Sequence, residues 1–379
     1  MIRNVPVLLA VSALVAGCTC NREYTFTPLD EEAEVEDRDF GQWLQMDVAP
    51  DGRPVIAYYD LTRTGVGFAV GNVLLNGDIE WEHEEADGYP DAEGLDPGDR
   101  GHYLSMTVAP DGHVWASYRD NDNGGLRVAH RVGGLWSNEA ADGGTGPIPD
   151  GGYWTSIAVD AENSPVVAHY DGSGVLRMAR LVDGAWTAET VAEGVDFDDG
   201  EVYREASVGK YARLMIHGST EYLAFYDAAK QSLELLEGGP GNYSQTTVHS
   251  DGNVGLWPSL WTDGETLLIG FQDADGGMML ATRTGGGGFS IQSVDEAKMV
   301  GSDSELFIRD GLLNIVYFDG FNNDMKHAVQ ESDGRWTVNI IGETGRAVGF
   351  HNEAISLGDG TWLTGSYDYT ERELYFRWL

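Results

Sequence analysis

The chain has 379 residues, of which 42% are hydrophobic and 11% aromatic, and it contains 51 glycines. This hydrophobic share excludes a disordered chain, and many glycines with many aromatics favour short strands joined by tight turns. With 23 basic and 62 acidic residues, the formal net charge is -39 at pH 7. Such a charge repels a phosphate backbone, so we expect no nucleic-acid partner, and solubility in a cation-rich medium is its simplest explanation.

The N-terminal segment has the form of a bacterial export signal. Arg3 precedes an apolar run over residues 5–16, which is too short to cross a bilayer as a helix and is followed by small residues. The stretch LVAGC at 14–18 resembles the lipobox of bacterial lipoproteins. This resemblance implies cleavage before Cys18 and acylation of its thiol, and Thr19 in place of Asp implies sorting to the outer membrane. An ordinary signal peptide or an uncleaved anchor is the alternative.

We therefore expect three segments: a signal peptide over 1–17, a lipidated tether over 18–22 and a folded domain over 23–379. The lipid on Cys18 would attach the protein to the membrane of the cell envelope, on the periplasmic side or at the cell surface. Cys20 is the only other cysteine, so no disulfide can link elements of the folded domain.

One phrase recurs along the folded domain. It reads QMDVAPDGRPVIAYYD at 45–60, SMTVAPDGHVWASYRD at 105–120 and SIAVDAENSPVVAHYD at 156–171, and four weaker copies follow. Repetition at this period is typical of an architecture built from copies of one unit. Each of the seven copies ends in an aspartate that we expect to stabilise a turn: Asp60, Asp120, Asp171, Asp227, Asp273, Asp319 and Asp368.

Each repeat predicts a four-stranded antiparallel meander. A tight turn such as Pro-Asp-Gly joins the two alternating halves of a phrase, which is a hairpin signal. A third strand such as LRVAHRV (126–132) and a fourth such as WTVNII (336–341) follow through further glycine turns. The repeated aspartates are 60, 51, 56, 46, 46 and 49 positions apart, which suits propeller blades with loops of different length. The sequence therefore predicts an all-β fold, a seven-bladed β-propeller.

The two ends of the chain complement each other. The chain ends at Leu379 on the predicted third strand of the last blade, whereas YTFT at 24–27 has the pattern of a fourth strand. We expect this N-terminal strand to complete the last blade, with Tyr24 and Phe26 buried. Such closure removes the exposed edges that an open array of sheets would leave.

The repeat resembles known types. Over residues 42–379 it is similar to the S-x-A-x-D-x-x-G-x-P-x-x-x-Y-Y-D repeats of uncharacterised secreted bacterial propellers, which implies the fold. The aspartate that ends each phrase looks like the structural aspartate of WD-repeat blades, which implies a role in the turn. A looser similarity to seven-bladed bacterial lectins implies glycan binding between blades. Turns such as SDGRW (332–336) are shared with sialidase propellers, but the three-arginine clamp of those enzymes is not recognisable here.

The loops that lead into the first strands share the pattern Gly-x-aromatic-x-polar. They lie at the same end as the repeated aspartates, because the chain runs down the first strand and back up the second. Aromatic rings stack on the apolar face of a sugar, and carboxylates accept its hydroxyl hydrogen bonds. A structural role, with the aromatics wedged between blades, is the alternative. The predicted ligand-binding residues on this face are Trp43, Tyr103, Trp154, Tyr211, Arg213, Trp257 and His351.

The repeat is broken in the later blades. Asp303 and His351 replace the aromatic residue in blades six and seven, Glu305 and Glu353 replace the following small polar residue, and Arg213 takes that position in blade four. The carboxylates of Asp303, Glu305 and Glu353 could act as acid and base in glycosidic cleavage, or bind a divalent cation. Solvated charges around a wet channel are the simpler alternative.

No motif requires catalysis or a cofactor. Calcium is hinted at by DNDNGG (120–125) and DFDDG (196–200), but neither has the EF-hand spacing, so we prefer ordinary turns. His169, inside a predicted strand, is expected to be a hydrogen-bonded core residue. The leading hypothesis is a monomeric binding or scaffold module of the cell envelope, whose ligand is a glycan or another envelope protein. A glycan-active hydrolase or lyase and a purely structural surface protein are the alternatives.

Overall fold

The computed structural model describes residues 23–25, 38–90, 94–143, 150–342, 345–358 and 360–379. The predicted signal peptide and the lipidation site at Cys18 lie outside these residues. In the described ranges, no helix is both long enough and apolar enough to cross a membrane.

The chain forms seven four-stranded antiparallel sheets. Blade one consists of β2 Phe40–Val48, β3 Pro54–Asp60, β4 Gly65–Val73 and β5 Ile79–Asp87. Blade two consists of β6 Arg100–Val108, β7 Val114–Asp120, β8 Leu126–Val132 and β9 Leu135–Asp142. Blade three consists of β10 Tyr153–Val159, β11 Pro165–Tyr170, β12 Val175–Val182 and β13 Ala185–Glu193. A hairpin of β14 Phe197–Asp198 and β15 Tyr203–Arg204 follows. Blade four consists of β16 Val208–His217, β17 Thr220–Asp227, β18 Ser232–Gly238 and β19 Ser244–His249. Blade five consists of β20 Val254–Thr262, β21 Thr266–Asp273, β22 Gly277–Thr284 and β23 Ser290–Asp295. Blade six consists of β24 Val300–Arg309, β25 Leu312–Asp319, β26 Asp324–Gln330 and β27 Trp336–Ile340. Blade seven is β28 Val348–Ser356, β29 Trp362–Asp368, β30 Glu373–Trp378 and β1 Glu23–Thr25. The prediction of an all-β, seven-bladed propeller is confirmed.

The first strands of the blades surround the axis of the propeller. β2 contacts β6 and β28, and the other first strands contact one another in sequence order, so they form a closed ring around a channel. In blade one, β2 begins at Phe40 opposite Asp60 and ends at Val48 opposite Pro54. We call the end of the propeller that carries the repeated aspartates the upper end, and the opposite end the lower end.

The hydrophobic core lies between neighbouring blades. Val55 and Phe68 of blade one pack with Met106 and Tyr118 of blade two, and similar clusters join the other blades around the ring. The second strand of a blade has a neighbouring sheet on each side, and β7 is accordingly buried at every residue. Each buried Val, Leu, Phe or Met is worth about 1.5–3 kcal/mol relative to an exposed one, so these interfaces are the main source of stability.

The N-terminal strand closes the ring, as predicted. β1 pairs with β30 in antiparallel register, with Glu23 opposite Arg377 and Thr25 opposite Tyr375. This pairing gives blade seven its fourth strand and satisfies the outer edge of β30. The burial of Tyr24 and Phe26 stays a prediction, because the structure does not describe these side chains.

Charged side chains link neighbouring blades away from the axis. Asp142, which ends β9, accepts a hydrogen bond from Nε of Arg177 at 2.6 Å and one from Nε2 of His169 at 3.1 Å. Burial raises the pKa of Asp142, but these two partners outweigh burial and lower it to about 2. The same arrangement recurs at two other blade junctions, in Asp87–Arg127 at 3.0 Å and Asp295–Lys326 at 3.1 Å.

The seven repeated aspartates bind the backbone of their own turns. Asp227, for example, accepts the N–H of Lys230 at 3.0 Å, and Asp319 accepts that of Asn322 at 3.1 Å. Such a bond satisfies a backbone donor in the turn between the second and third strands. The same type of bond is made by Asp60, Asp120, Asp171, Asp273 and Asp368.

Replacing Asp142 by Asn removes the charge that Arg177 and His169 stabilise. We expect the free energy of unfolding to fall by roughly 2 kcal/mol at neutral pH. Because the folded-state pKa of about 2 lies below the ordinary value of 3.8, this stabilisation is complete above that ordinary value and is lost as the pH falls through the folded one. Urea unfolding at a series of pH values should therefore show the deficit of the variant shrinking with acidification. Asp183→Asn, the same change in an exposed turn, is the control, and a deficit that stays constant with pH would contradict the assignment.

Removing residues 23–25 should expose the outer edge of β30. A lipid-free chain that begins at Phe26 is expected to melt several degrees lower than one that begins at Glu23, and to self-associate through the unpaired edge. Calorimetry and gel filtration measure the two effects. If both chains are monomeric with the same melting temperature, β1 does not close the ring in solution.

Candidate functional site: the aromatic funnel

Every first strand contains a bulge near the upper end. The register between the first and second strands shifts by one residue at the same place in all seven blades, in blade one between Gln42 and Gln45. A bulge re-aims the side chain that it carries. The bulged residue has a positive φ of 45° to 57° and is never glycine: the seven are Trp43, Tyr103, Trp154, Tyr211, Trp257, Asp303 and His351.

A glycine two residues earlier allows the chain to reach this conformation. Gly41 and Gly255 have φ values of 110° and 98°. A Cβ atom would lie 2.7 Å from Leu374 of the preceding blade at Gly41, and 2.6 Å from Leu233 of the preceding blade at Gly255. The glycine of the sequence pattern is thus required both by its backbone angle and by the close approach of the neighbouring blade.

The bulged aromatic side chains form a wall around the channel mouth. Ring centroids are 5.4 Å apart for Trp43–Tyr103, 5.1 Å for Tyr103–Trp154, 5.3 Å for Trp154–Tyr211 and 4.5 Å for Tyr211–Trp257. The rings are tilted or edge-on to one another, which is the geometry that aromatic pairs prefer. Each is only partly buried, so the five rings enclose an opening, which we call the aromatic funnel.

Asp303 and His351 complete the circle in blades six and seven. Nδ1 of His351 lies 3.5 Å from a carboxylate oxygen of Asp303, and the His351 ring is 5.6 Å from that of Trp43. The wall of the aromatic funnel is therefore apolar over five blades and polar over two.

Residues two positions after the bulge form the floor of the aromatic funnel. Arg213 reaches across the channel from blade four to blade six, where its Nη2 lies 2.8 Å from Oε2 of Glu305. Glu353 is only 7% exposed and accepts a hydrogen bond from Nε2 of Gln45 at 2.9 Å. A cavity of about 150 Å³ above these side chains adjoins one of about 270 Å³ further down the channel.

Burial and neighbouring charges shift the pKa values of both glutamates of the floor. Burial raises the pKa of Glu305, and the charge of Arg213 opposes this shift. Burial and then the negative charge of Glu305 raise the pKa of Glu353 well above its ordinary range. Glu353 therefore gives up its proton at a higher pH than an exposed glutamate does, whereas the ion pair with Arg213 favours the ionised form of Glu305.

Side-chain hydrogen bonds between blades hold the bulges in place. The hydroxyl of Thr155 donates to the carbonyl of Tyr103 at 2.7 Å, and that of Ser304 donates to the carbonyl of Trp257 at 2.9 Å. Sequence reasoning did not identify these positioning residues, because a small polar residue beside an aromatic one gives no signal of its own. Gln45, the partner of Glu353, was also missed, since its neighbour in space is 308 positions away.

All seven residues predicted to bind a ligand line the aromatic funnel, and so do Asp303, Glu305 and Glu353. The repeated aspartates do not line it, because they are directed into the turns described above. Any carboxylates that accompany the aromatic wall are consequently those of the broken repeats.

The other candidate sites form turns or core contacts. Within the described part of the chain, no three His, Cys, Asp or Glu side chains are placed to hold a metal ion. In the segment 196–200, Asp199 accepts the N–H of Val202 at 2.8 Å, and calcium binding at either acidic turn stays an untested alternative. His169 is 1% exposed, and its Nδ1 accepts the N–H of Gly152 at 3.1 Å, which leaves Nε2 to donate to Asp142.

No family model and no curated protein matches the sequence. Several solved structures share the fold. The BP39L lectin from Burkholderia pseudomallei has a TM-score of 0.58 at 13% identity, over 89% of this chain and 96% of the lectin. The polysaccharide lyase Uly1 has a TM-score of 0.55 at 9% identity, over 97% and 94% of the two chains, and the SapL1 lectin, solved with alpha methyl fucoside, has 0.50 at 13%, over 81% and 97%. At these identities the likeness shows the fold alone, a β-propeller architecture that lectins and a polysaccharide lyase also use.

Replacing Glu353 by Gln keeps the size of the protonated side chain and removes its titration. Because the folded-state pKa of Glu353 is raised, its contribution to stability is complete below the unfolded pKa of about 4 and is lost as the pH rises through the folded value. E353Q should therefore be more stable than the unsubstituted protein in mildly alkaline solution, and the difference should vanish towards pH of about 4. Thermal unfolding across pH measures this, with Glu265→Gln in an exposed turn as the control. A variant that is less stable at alkaline pH would rule out a protonated Glu353.

Proposed function

We propose that this protein is a glycan-binding propeller that takes the end of a sugar chain into the aromatic funnel. The observation that carries the proposal is the partly exposed wall of five aromatic rings above a floor of Arg213, Glu305 and Glu353. Aromatic faces pack against the apolar faces of sugar rings, while a few polar groups at the base of a pocket orient the hydroxyls. A funnel of this size suits one or two sugar residues better than the surface of a protein partner.

The strained backbone favours a binding role over a purely structural one. Left-handed backbone at a residue with a Cβ costs about 1–3 kcal/mol and clusters at functional sites. An aromatic wall needed only for packing could be built from residues in ordinary β conformation. Here the strain recurs at seven positions around one opening, and its effect is to direct partly exposed side chains into that opening.

The charges of the aromatic funnel favour neutral or amine-bearing sugars. With Glu353 protonated and His351 counted as neutral, Asp303 and Glu305 contribute two negative charges and Arg213 one positive charge, a formal sum of -1. The whole chain adds a field of the same sign. Sugars that carry a carboxylate, such as uronic and sialic acids, would meet repulsion that salt screens only partly at a half-buried site.

The fold and the N-terminal sequence support a glycan-binding protein that is located in the cell envelope. Two of the propellers that share the fold are lectins, and the SapL1 lectin was solved with a fucoside. In our proposal the signal peptide 1–17 is removed and lipid on Cys18 holds the propeller at the outer membrane, where the glycan belongs to the cell envelope or to a neighbouring cell.

A second candidate function is cleavage of the bound glycan. It is favoured by two carboxyl groups on the floor of the aromatic funnel, Glu305 paired with Arg213 and Glu353 hydrogen-bonded to Gln45. Burial raises the pKa of both, and the charge of Glu305 raises that of Glu353 further, as a general acid beside a general base requires. Chromatography of oligosaccharides incubated with the protein distinguishes cleavage from binding. Cleavage that persists in E353Q would exclude Glu353 as the acid.

A glycan array probed with the lipid-free chain 21–379, followed by calorimetry on the best ligand, tests the binding proposal. Trp154→Ala should weaken binding about tenfold or more, because stacking on one aromatic ring is lost at the centre of the wall. Tyr369→Ala, which removes a 65% exposed aromatic residue from the same end but outside the aromatic funnel, should leave the affinity unchanged. No hit on the array, or preferential binding of acidic sugars, would contradict the proposal.

A further inference from the structure

The direction of β1 places the N-terminus of the folded domain at the lower end. In β30, Glu373 lies opposite Asp368 at the upper end, whereas Trp378 lies opposite Leu363 at the lower end. Glu23 pairs with Arg377, next to Trp378. The chain therefore enters the propeller on the side opposite the aromatic funnel.

The length of the preceding segment limits where a lipid on Cys18 can lie. The five residues from Cys18 to Glu23 extend over at most about 18 Å. A first strand of nine residues such as β2 spans about 30 Å along the channel. A lipid on Cys18 can consequently reach a membrane beside the lower end of the propeller, but not one beside the aromatic funnel.

Apolar side chains are exposed at the lower end on blades one, two and three, which follow blade seven around the ring. They lie in or beside the turn between the third and fourth strands, at the same position in three consecutive blades. In blades four to six the corresponding turns, 239–242, 285–288 and 331–335, contain glycine, proline and polar residues. The upper end also has exposed apolar residues, but they lie in or beside loops of different kinds and not in one repeated turn: Leu61, Leu95, Val195, Val202, Tyr203, Met299, Phe321, Ile340 and Tyr369. The group at the lower end, which we call the apolar turns, consists of Val73, Leu74, Leu75, Val132, Leu135 and Val182.

The apolar turns begin directly beside the strand that pairs with β1. Nε1 of Trp378 donates a hydrogen bond to the carbonyl of Gly77, in the turn that carries Leu74 and Leu75. Leu75 is fully exposed and Leu135 is 78% exposed. Single exposed apolar residues need no explanation, but a repeated set on adjacent turns marks a contact surface.

We propose that the lower end lies on a lipid bilayer, with the apolar turns in the headgroup region and the aromatic funnel directed away from the membrane. The proposal rests on the acylation of Cys18 that is part of the proposed function, and it adds the orientation and the second contact. One lipid anchor leaves a domain free to rotate on its tether, whereas apolar side chains at the interface fix one face on the membrane. The funnel then stays open to glycans in the surrounding medium.

The charge of the protein selects the kind of lipid. Exposed carboxylates also lie at the lower end, at Asp51 and Asp111 in the turns between first and second strands and at Asp183 in the turn that carries Val182. Together with the net charge of -39, they would repel anionic headgroups within a Debye length of the surface. We expect a zwitterionic surface to hold the apolar turns more closely than an anionic one.

The test uses the full lipidated chain with Cys20→Ser, reconstituted into phosphatidylcholine vesicles. An environment-sensitive fluorophore is attached to a single thiol introduced as Leu75→Cys, or as Phe321→Cys in a 74% exposed position at the upper end. On vesicles, emission at position 75 should shift to the blue and be quenched by spin-labelled lipid, while emission at position 321 should remain that of the lipid-free chain. Adding phosphatidylglycerol should reduce the quenching at position 75.

Three results would overturn the proposal. They are quenching of the fluorophore at position 321, emission at position 75 that is the same on vesicles as in the lipid-free chain, and a full chain that stays soluble with an unmodified Cys18. Glycan affinity is measured on the lipid-free chain, so its failure is separate from a failure of the membrane orientation. Positions 75 and 321 are both exposed, so neither substitution removes a buried side chain.

Discussion

Closure of the ring of first strands is the constraint on which the rest of this structure depends. A blade alone buries only part of its apolar surface, and the first and last blades gain their second neighbour only when they meet. The pairing of β1 with β30 completes that last blade with a strand from the other end of the chain. Closure also assembles the candidate site, since His351 and Trp43, from blades seven and one, approach within 5.6 Å only across the seam.

The repeated residues and the exceptions to the repeat have different tasks. Glycines such as Gly41 permit the bulge, and aspartates such as Asp227 satisfy backbone donors, so these residues do the same work in every blade. The exceptions gather in one place, because equivalent positions of all blades meet at the channel. Arg213, Glu305 and Glu353 thus form a polar floor that no single repeat contains. The repeated residues stabilise every blade, and the residues that depart from the repeat supply the charged groups of the aromatic funnel.

The two ends of the propeller expose different kinds of side chain. At the upper end, the bulges direct side chains inward and leave them partly exposed around an opening. At the lower end, short turns project outward, and those of blades one, two and three carry exposed apolar side chains, the first of them beside the blade that holds the N-terminal strand. A molecule arranged in this way can bind on one face and be held by the other, since the two contacts do not compete for surface.

The sequence by itself determined the sheets, their number and the end at which the aromatic residues lie. Hairpins join residues that are close in the chain, and strand direction follows from their order, so alternation and turn chemistry are sufficient. The sequence also predicted the ring closure, because the last blade lacks a fourth strand after Leu379 and a segment with the pattern of a fourth strand lies near Tyr24. Only the tertiary structure decided the left-handed bulges and the ion pair of Arg213 with Glu305, which are 92 positions apart. It also decided that the pKa of Glu353 is raised, because desolvation and charge across a channel depend on distances that exist only once seven blades have closed.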